Sequence, residues 1–133
     1  MKKTPQTKIT GALEDYLETI YLLQKLAPIV RVKDIAKKYN VKPGSVSPAM
    51  KRLADAGLIQ YQQREYIQLT KEGEKIASKI YSKHEILYKF LTDVLNISDK
   101  TAFNDACQIE HSLSTESFSK LSKFMYEYKK TKQ

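Results

Sequence analysis

Apolar residues recur at helical spacing over the first fifty-odd positions, alternate briefly, and then return to helical spacing up to the C-terminal residues. Leu13, Leu17, Ile20, Tyr21, Leu23 and Leu26 predict a first helix from about Ala12, ended by Pro28. Val32 to Tyr39 predicts a short second helix with Ile35 and Ala36 inward, followed by a turn over Asn40-Val41-Lys42-Pro43-Gly44. A third helix then reaches about Ala56, with Val46, Met50 and Leu53 on one face and Gly57 as its stop. Pro48 lies inside it, which predicts a kink or a later start.

After Gly57 the period changes. Leu58-Ile59-Gln60-Tyr61 and Tyr66-Ile67-Gln68-Leu69 alternate around the polar tip Gln62-Gln63-Arg64-Glu65, a β-hairpin pattern. Thr70 with Glu72 and Gly73 marks a helix start, and Ile76, Ile80, Ile86, Leu87, Phe90, Leu91 and Val94 carry a fourth helix long enough to serve as a dimer interface. Asn96 to Asp99 reads as turn and cap, Thr101 to Leu113 as a fifth helix, and Ser114 to Ser117 as the opening of a last one bearing Phe118, Leu121, Phe124 and Met125. The first ten residues are expected to form a loose arm and Lys129 to Gln133 to fray.

Three helices with a tight turn before the third and a hairpin directly after it are the parts of a winged helix-turn-helix. The expected fold is therefore mainly α, with a winged helix-turn-helix domain over residues 1–70 and an all-helical domain over 71–133, to which the resemblance given below assigns dimerisation and metal binding. Charge sharpens this picture. The 23 Lys and Arg outnumber 15 Asp and Glu, giving a net charge of +8, which points to a polyanionic partner, with double-stranded DNA first. No apolar run approaches the ~18 residues of a membrane span, and the N-terminal residues do not resemble a signal core, so the expected location is cytoplasmic, without membrane attachment. The lone Cys107 excludes an intrachain disulfide and suits a reducing compartment.

In such a unit the N-terminal half of the third helix enters the major groove. Lys42, Gly44, Ser45, Ser47, Pro48 and Lys51 are then the candidate contacts, Arg52 is available to a phosphate, and Arg64 at the hairpin tip is a further phosphate candidate.

A second group of residues has different chemistry. Asp15 and Glu18 are three apart and share a helical face; Cys107, Glu110 and His111 fall at i, i+3 and i+4; His84 sits between them in sequence, on the long fourth helix. A Glu-His pair on a helix is commonly solvated and a cysteine beside Ala106 is commonly a small core residue. However, both histidines of the chain and its only cysteine belong to this set, and convergence of the three faces would surround one volume with sulfur, oxygen and nitrogen donors.

The segments Leu13-Glu14-Asp15-Tyr16-Leu17-Glu18-Thr19-Ile20-Tyr21, Val32-Lys33-Asp34-Ile35-Ala36, Val46-Ser47 and Asn104-Asp105-Ala106-Cys107-Gln108-Ile109-Glu110-His111-Ser112-Leu113-Ser114 resemble the diphtheria-toxin-repressor and manganese-transport-regulator (DtxR/MntR) family of metal-dependent repressors. The resemblance implies a homodimer whose helical domain binds metal, with Asp15, Glu18, His84, Cys107, Glu110 and His111 at ligand positions. Asp15 and Glu18 match the manganese-type regulators, whereas Cys107 matches the iron-type ones. The resemblance thus implies Fe(II) or Mn(II) as co-repressor, with Co(II) or Zn(II) as surrogates. It is to the short form without an SH3-like domain.

Competing readings are a winged-helix regulator sensing redox through Cys107 without a metal, a hydrolase using the same ligands, and an architectural DNA-binding protein without an effector. The second lacks a Gly-rich phosphate motif. Metal capture by this set needs ionised Asp15, Glu18, Cys107 and Glu110 with neutral His84 and His111, so affinity is expected to fall below about pH 6. Metal titrations at two pH values test this, and undiminished binding at the lower one refutes it.

Overall fold

The computed structural model describes residues 9–62 and 66–132. They form two compact units, Met1–Ser78 and Lys79–Gln133.

In the first unit, α1 (Gly11–Leu26) starts at Thr10, whose Oγ1 accepts the Leu13 amide at 3.2 Å, and buries Leu13, Leu17 and Ile20 along one stripe. A two-residue strand follows, β1 (Val30–Arg31), which pairs antiparallel with β3. Two residues are too few to show an alternating pattern, which is why the sequence gives no sign of this strand. Helix α2 (Val32–Tyr39) opens where the Arg31 amide donates to Asp34 Oδ2 at 2.9 Å and closes on Asn40, whose φ of 57° is left-handed.

Helix α3 spans Pro43–Asp55. The turn before it is therefore shorter than expected, because Pro43 at the first helical position already has its φ fixed for a helix and its missing N–H costs nothing there. Pro48 lies inside the helix, which starts at Pro43 and not later. Gly57, at φ 79°, is the predicted stop, and the Leu58 amide returns to the Leu53 carbonyl at 3.0 Å.

Strands β2 (Ile59–Tyr61) and β3 (Tyr66–Leu69) form the predicted hairpin, with Ile59 opposite Leu69, Tyr61 opposite Ile67, and sheet order β1-β3-β2. Ile59 and Ile67 are buried, while Gln60 and Gln68 face solvent. Gln24 of α1 accepts the Leu69 amide at 2.9 Å, so the hairpin is held to the helix as well as to the core. Leu17, Ile20, Ile35, Val46, Met50, Leu53 and Ile67 form that core with Ala77 of α4 (Lys71–Lys89). Thr70 caps α4 by accepting the Gly73 amide at 3.0 Å, and its hydroxyl donates to the Gly57 carbonyl at 2.8 Å.

In the second unit the α-helical part of α4 ends at Lys89, not Val94 as the apolar spacing predicts, because Phe90–Val94 is a π-helical turn. The Leu95 amide reaches the Phe90 carbonyl, five residues back, and Asn96 at φ 58° ends the run. Helix α5 spans Asp99–Ile109, shorter than the predicted Thr101 to Leu113 at its C-terminal end. The amides of Ser112 and Leu113 both converge on the Ile109 carbonyl, closing the helix into a turn. Helix α6 (Thr115–Lys132) starts at Ser114, whose Oγ accepts the Ser117 amide, and continues through Lys132, so the predicted fraying from Lys129 does not occur among the described residues. Ile80, Leu87, Leu91, Ala102, Ala106 and Met125 are the buried apolar residues of this unit.

Two expectations follow. A Cβ on Gly73 would overlap the Leu58 carbonyl oxygen, a backbone atom that cannot rotate away, so Gly73→Ala is expected to destabilise by about 1–3 kcal/mol; an unchanged denaturant midpoint contradicts this. Tyr39 is pushed up to about 12, chiefly because burial disfavours the phenolate, with Asp15, Tyr16 and Glu18 adding and the Thr19 hydrogen bond opposing. Its neutral form is the one the fold favours, so its contribution is complete below pH 10 and is lost as pH rises toward 12. Alkaline unfolding of Tyr39→Phe should lack that component, and coincident wild-type and variant curves over this range exclude it.

Candidate metal centre and nucleic-acid surface

On α4, His84 shares its face with Ile80 and Leu87, at spacings of four and three residues, and all three are buried. On α5, Ala102 and Ala106 are buried one turn apart, and Glu110, the C-cap residue, extends that stripe by four more. The small alanines leave room for the side chains that follow. Cys107 lies in the last turn of α5, half-buried, and His111 in the turn beyond it. The end of the helix at Ile109 corrects the expectation that Cys107, Glu110 and His111 all lie on one helix face, but it does not separate them.

His84 Nδ1 lies 2.9 Å from Glu110 Oε1 and 3.8 Å from Cys107 Sγ. His111 Nε2 lies 3.6 Å from Glu110 Oε2. The Phe103 ring packs edge-on to the His84 imidazole with centroids 4.9 Å apart, limiting its rotation. Glu110 is only 1% exposed, yet Oε2 accepts no hydrogen bond among the described residues. A buried carboxylate with one unsatisfied oxygen is costly unless positive charge reaches it.

A divalent cation fits this donor set. Neighbouring oxygen or nitrogen ligands on a cation at ~2.1 Å are about 3 Å apart, and a thiolate and an imidazole on one tetrahedral cation are about 3.5 Å apart. The observed separations are close to these. Mixed nitrogen, sulfur and oxygen donors select a transition metal over calcium or magnesium. Asp15 and Glu18 belong to the first unit, half-buried on α1 on either side of Leu17 and Tyr16, where the charge of both bears on Tyr39.

The second candidate surface is on α3. Val46, Met50 and Leu53 turn inward, so Lys42, Gly44, Ser45, Pro48, Lys51 and Arg52 are all exposed and Ser47 is half-buried, donating to the Pro43 carbonyl at 3.4 Å. Arg64 lies outside the described residues. One cation beside the first residue of β3 escaped the sequence reading: Arg31 lies over the Tyr66 ring, 5.0 Å from its centroid, and donates to Tyr66 Oη at 3.4 Å. The β1-β3 pairing that brings the two together rests on the strand the pattern did not reveal.

Residues 8–66 match the iron-dependent repressor N-terminal DNA-binding domain, and residues 70–132 match the iron-dependent repressor metal-binding and dimerisation domain. The chain belongs to the iron-dependent repressor family. This family member is 37% identical over 122 residues to an uncharacterized HTH-type transcriptional regulator of Methanocaldococcus jannaschii, covering 91% of this chain and 98% of that one. It is 34% identical over 112 residues to the HTH-type transcriptional regulator MntR of Lysinibacillus sphaericus, covering 84% of this chain and 80% of that one. The solved structure of the manganese regulator SloR superposes with a TM-score of 0.77 at 32% identity, over 89% of this repressor-family chain but 55% of that one. The chain thus spans about half the length of that structure. The mainly α, winged-helix architecture and the DtxR/MntR resemblance hold, and the curated relatives of the family are transcriptional regulators, not enzymes. Among the described residues no helix is long and apolar enough to cross a membrane.

Proposed function

We propose that this chain is a cytoplasmic, metal-responsive transcriptional repressor that binds operator DNA as a homodimer, with Fe(II) or Mn(II) as co-repressor. The observation that carries the reading is Glu110, a buried carboxylate with an unsatisfied oxygen among two imidazoles and a thiol. His84, Cys107, Glu110 and His111 are the ligands drawn from the helical domain, residues 71–133. Asp15 and Glu18 complete the set on the strength of their three-residue spacing and the family membership.

A bound cation would supply the positive charge that the buried Glu110 carboxylate lacks. The chain contributes the rest. The α1 residues Leu13, Leu17 and Ile20 belong to the core on which α3 is seated, so ligation through Asp15 and Glu18 would stabilise the arrangement of the reading helix in the DNA-competent state. In the winged helix-turn-helix, residues 1–70, the exposed face of α3 then presents Lys42, Gly44, Ser45, Ser47, Pro48 and Lys51 to base edges, with Arg52 and Arg64 on phosphates. Phe103 is 52% exposed and Tyr126 62% exposed, large apolar surface that a second copy would cover. Redox sensing through Cys107 alone is not favoured, because its sulfur is half-buried beside His84 Nδ1, within this donor set.

The test is DNA binding to a candidate promoter by apo protein and by protein with Mn(II), anaerobic Fe(II), Co(II) or Zn(II), beside a Cys107→Ala variant. Tight binding is expected only with metal, and the variant should shift preference from Fe(II), Co(II) and Zn(II) toward Mn(II). Binding indifferent to metal and chelator overturns the effector assignment.

A further inference from the structure

Lys83 stands immediately before His84 on α4, and the partner of its ammonium group is a backbone carbonyl. It is half-buried, and its Nζ donates to the Leu113 carbonyl at 2.7 Å, thirty residues along the chain. Leu113 is the last residue before the α6 cap, Ser114, in the segment that leaves α5 after Ile109 and carries Glu110 and His111. That segment is a turn whose amides at Ser112 and Leu113 both bond to the Ile109 carbonyl.

Two ordinary reasons for a lysine at this place do not apply. A cation near the start of α6 is opposed by the positive end of that helix's dipole. Nor is Lys83 the counterion of the buried Glu110, whose Oε2 accepts no hydrogen bond among the described residues. What the geometry selects is the carbonyl, through a short charge-assisted hydrogen bond that ties α4 to the turn one residue from His84 and two from His111.

We infer that Lys83 is a positioning residue for the metal centre: its bond to Leu113 fixes the backbone of the turn bearing Glu110 and His111 against the helix bearing His84. This rests on the metal-binding reading above. The ligands on the two sides of the cluster sit on different elements, His84 on α4 and Glu110 and His111 on the turn, and without a tether the turn is free to relax away from α4 and open the 2.9 Å spacing between His84 and Glu110. Outer contacts that orient ligands commonly change metal affinity by 10–100-fold.

The experiment uses the full chain in three versions, wild type, Lys83→Met and Lys83→Arg. Co(II) affinity is followed by the thiolate and ligand-field absorption bands, and amide hydrogen exchange is measured on the metal-free proteins. Lys83→Met keeps the apolar stem and removes the donor. It is expected to bind Co(II) about tenfold more weakly and to exchange faster at residues 111–113, with other α4 and α5 amides unchanged. Lys83→Arg, which restores a donor, should recover both. Unchanged affinity in Lys83→Met overturns the inference, and so does lost affinity with unchanged exchange, since charge rather than the tether would then be acting. Loss that Lys83→Arg fails to recover in either measurement also counts against it. A wild-type chain that binds no Co(II) overturns the metal-binding reading itself, which the other outcomes leave standing.

Discussion

The helical unit is organised around a carboxylate it cannot satisfy alone. Glu110 is buried on the same stripe as Ala102 and Ala106, and its two oxygens face different histidines, one hydrogen-bonded and one not. Sequestering a charge in this way costs stability, and proteins tolerate it where the charge has a use. The surroundings are consistent with that: Phe103 restrains the imidazole, the alanines keep α5 close, and the turn after Ile109 brings His111 back toward the glutamate. An apolar residue of similar size at position 110 would give a better core and no centre.

The winged unit is built on the opposite principle. Its core is apolar throughout, from Leu13 of α1 to Ala77 of α4, and its chemistry is confined to what the elements leave outside. Helix α3 shows the division most clearly, because Val46, Met50 and Leu53 fix its orientation while Gly44, Ser45, Pro48, Lys51 and Arg52 are exposed. Rigidity of the inner face is what gives the outer face a defined register on a partner. Helix α1 puts Leu13, Leu17 and Ile20 into that core and carries Asp15 and Glu18 half-buried beside them.

Much of this was legible in the sequence, and the parts that were not have physical reasons. The helices of the winged unit have strong apolar stripes and clear punctuation, so Val32–Tyr39 and the stop at Gly57 could be read directly. Strand β1 was not, because a two-residue strand exists only through its pairing with β3, a long-range fact. The π-helical turn after Lys89 was hidden for a related reason: an apolar stripe reports which residues are inside, not whether the carbonyls are met four or five residues on. The proximity of His84, Cys107, Glu110 and His111 was foreshadowed by a coincidence of rare residue types, both histidines and the cysteine. The bond from Lys83 to Leu113 was not legible, since one lysine among 23 Lys and Arg gives no hint that its ammonium group is committed to a distant carbonyl.

Thr70 and Gly73 carry a mechanical consequence. A single hydroxyl takes the Gly73 amide and gives its proton to the Gly57 carbonyl, while the bare Cα of Gly73 lets the helix backbone lie directly against Leu58. The first turn of α4 is thereby held to the base of the hairpin twice, once through the Thr70 hydroxyl and once backbone to backbone at Gly73 and Leu58. A displacement of that first turn cannot be taken up at Gly73, where backbone meets backbone, and so falls on the start of the hairpin at Leu58.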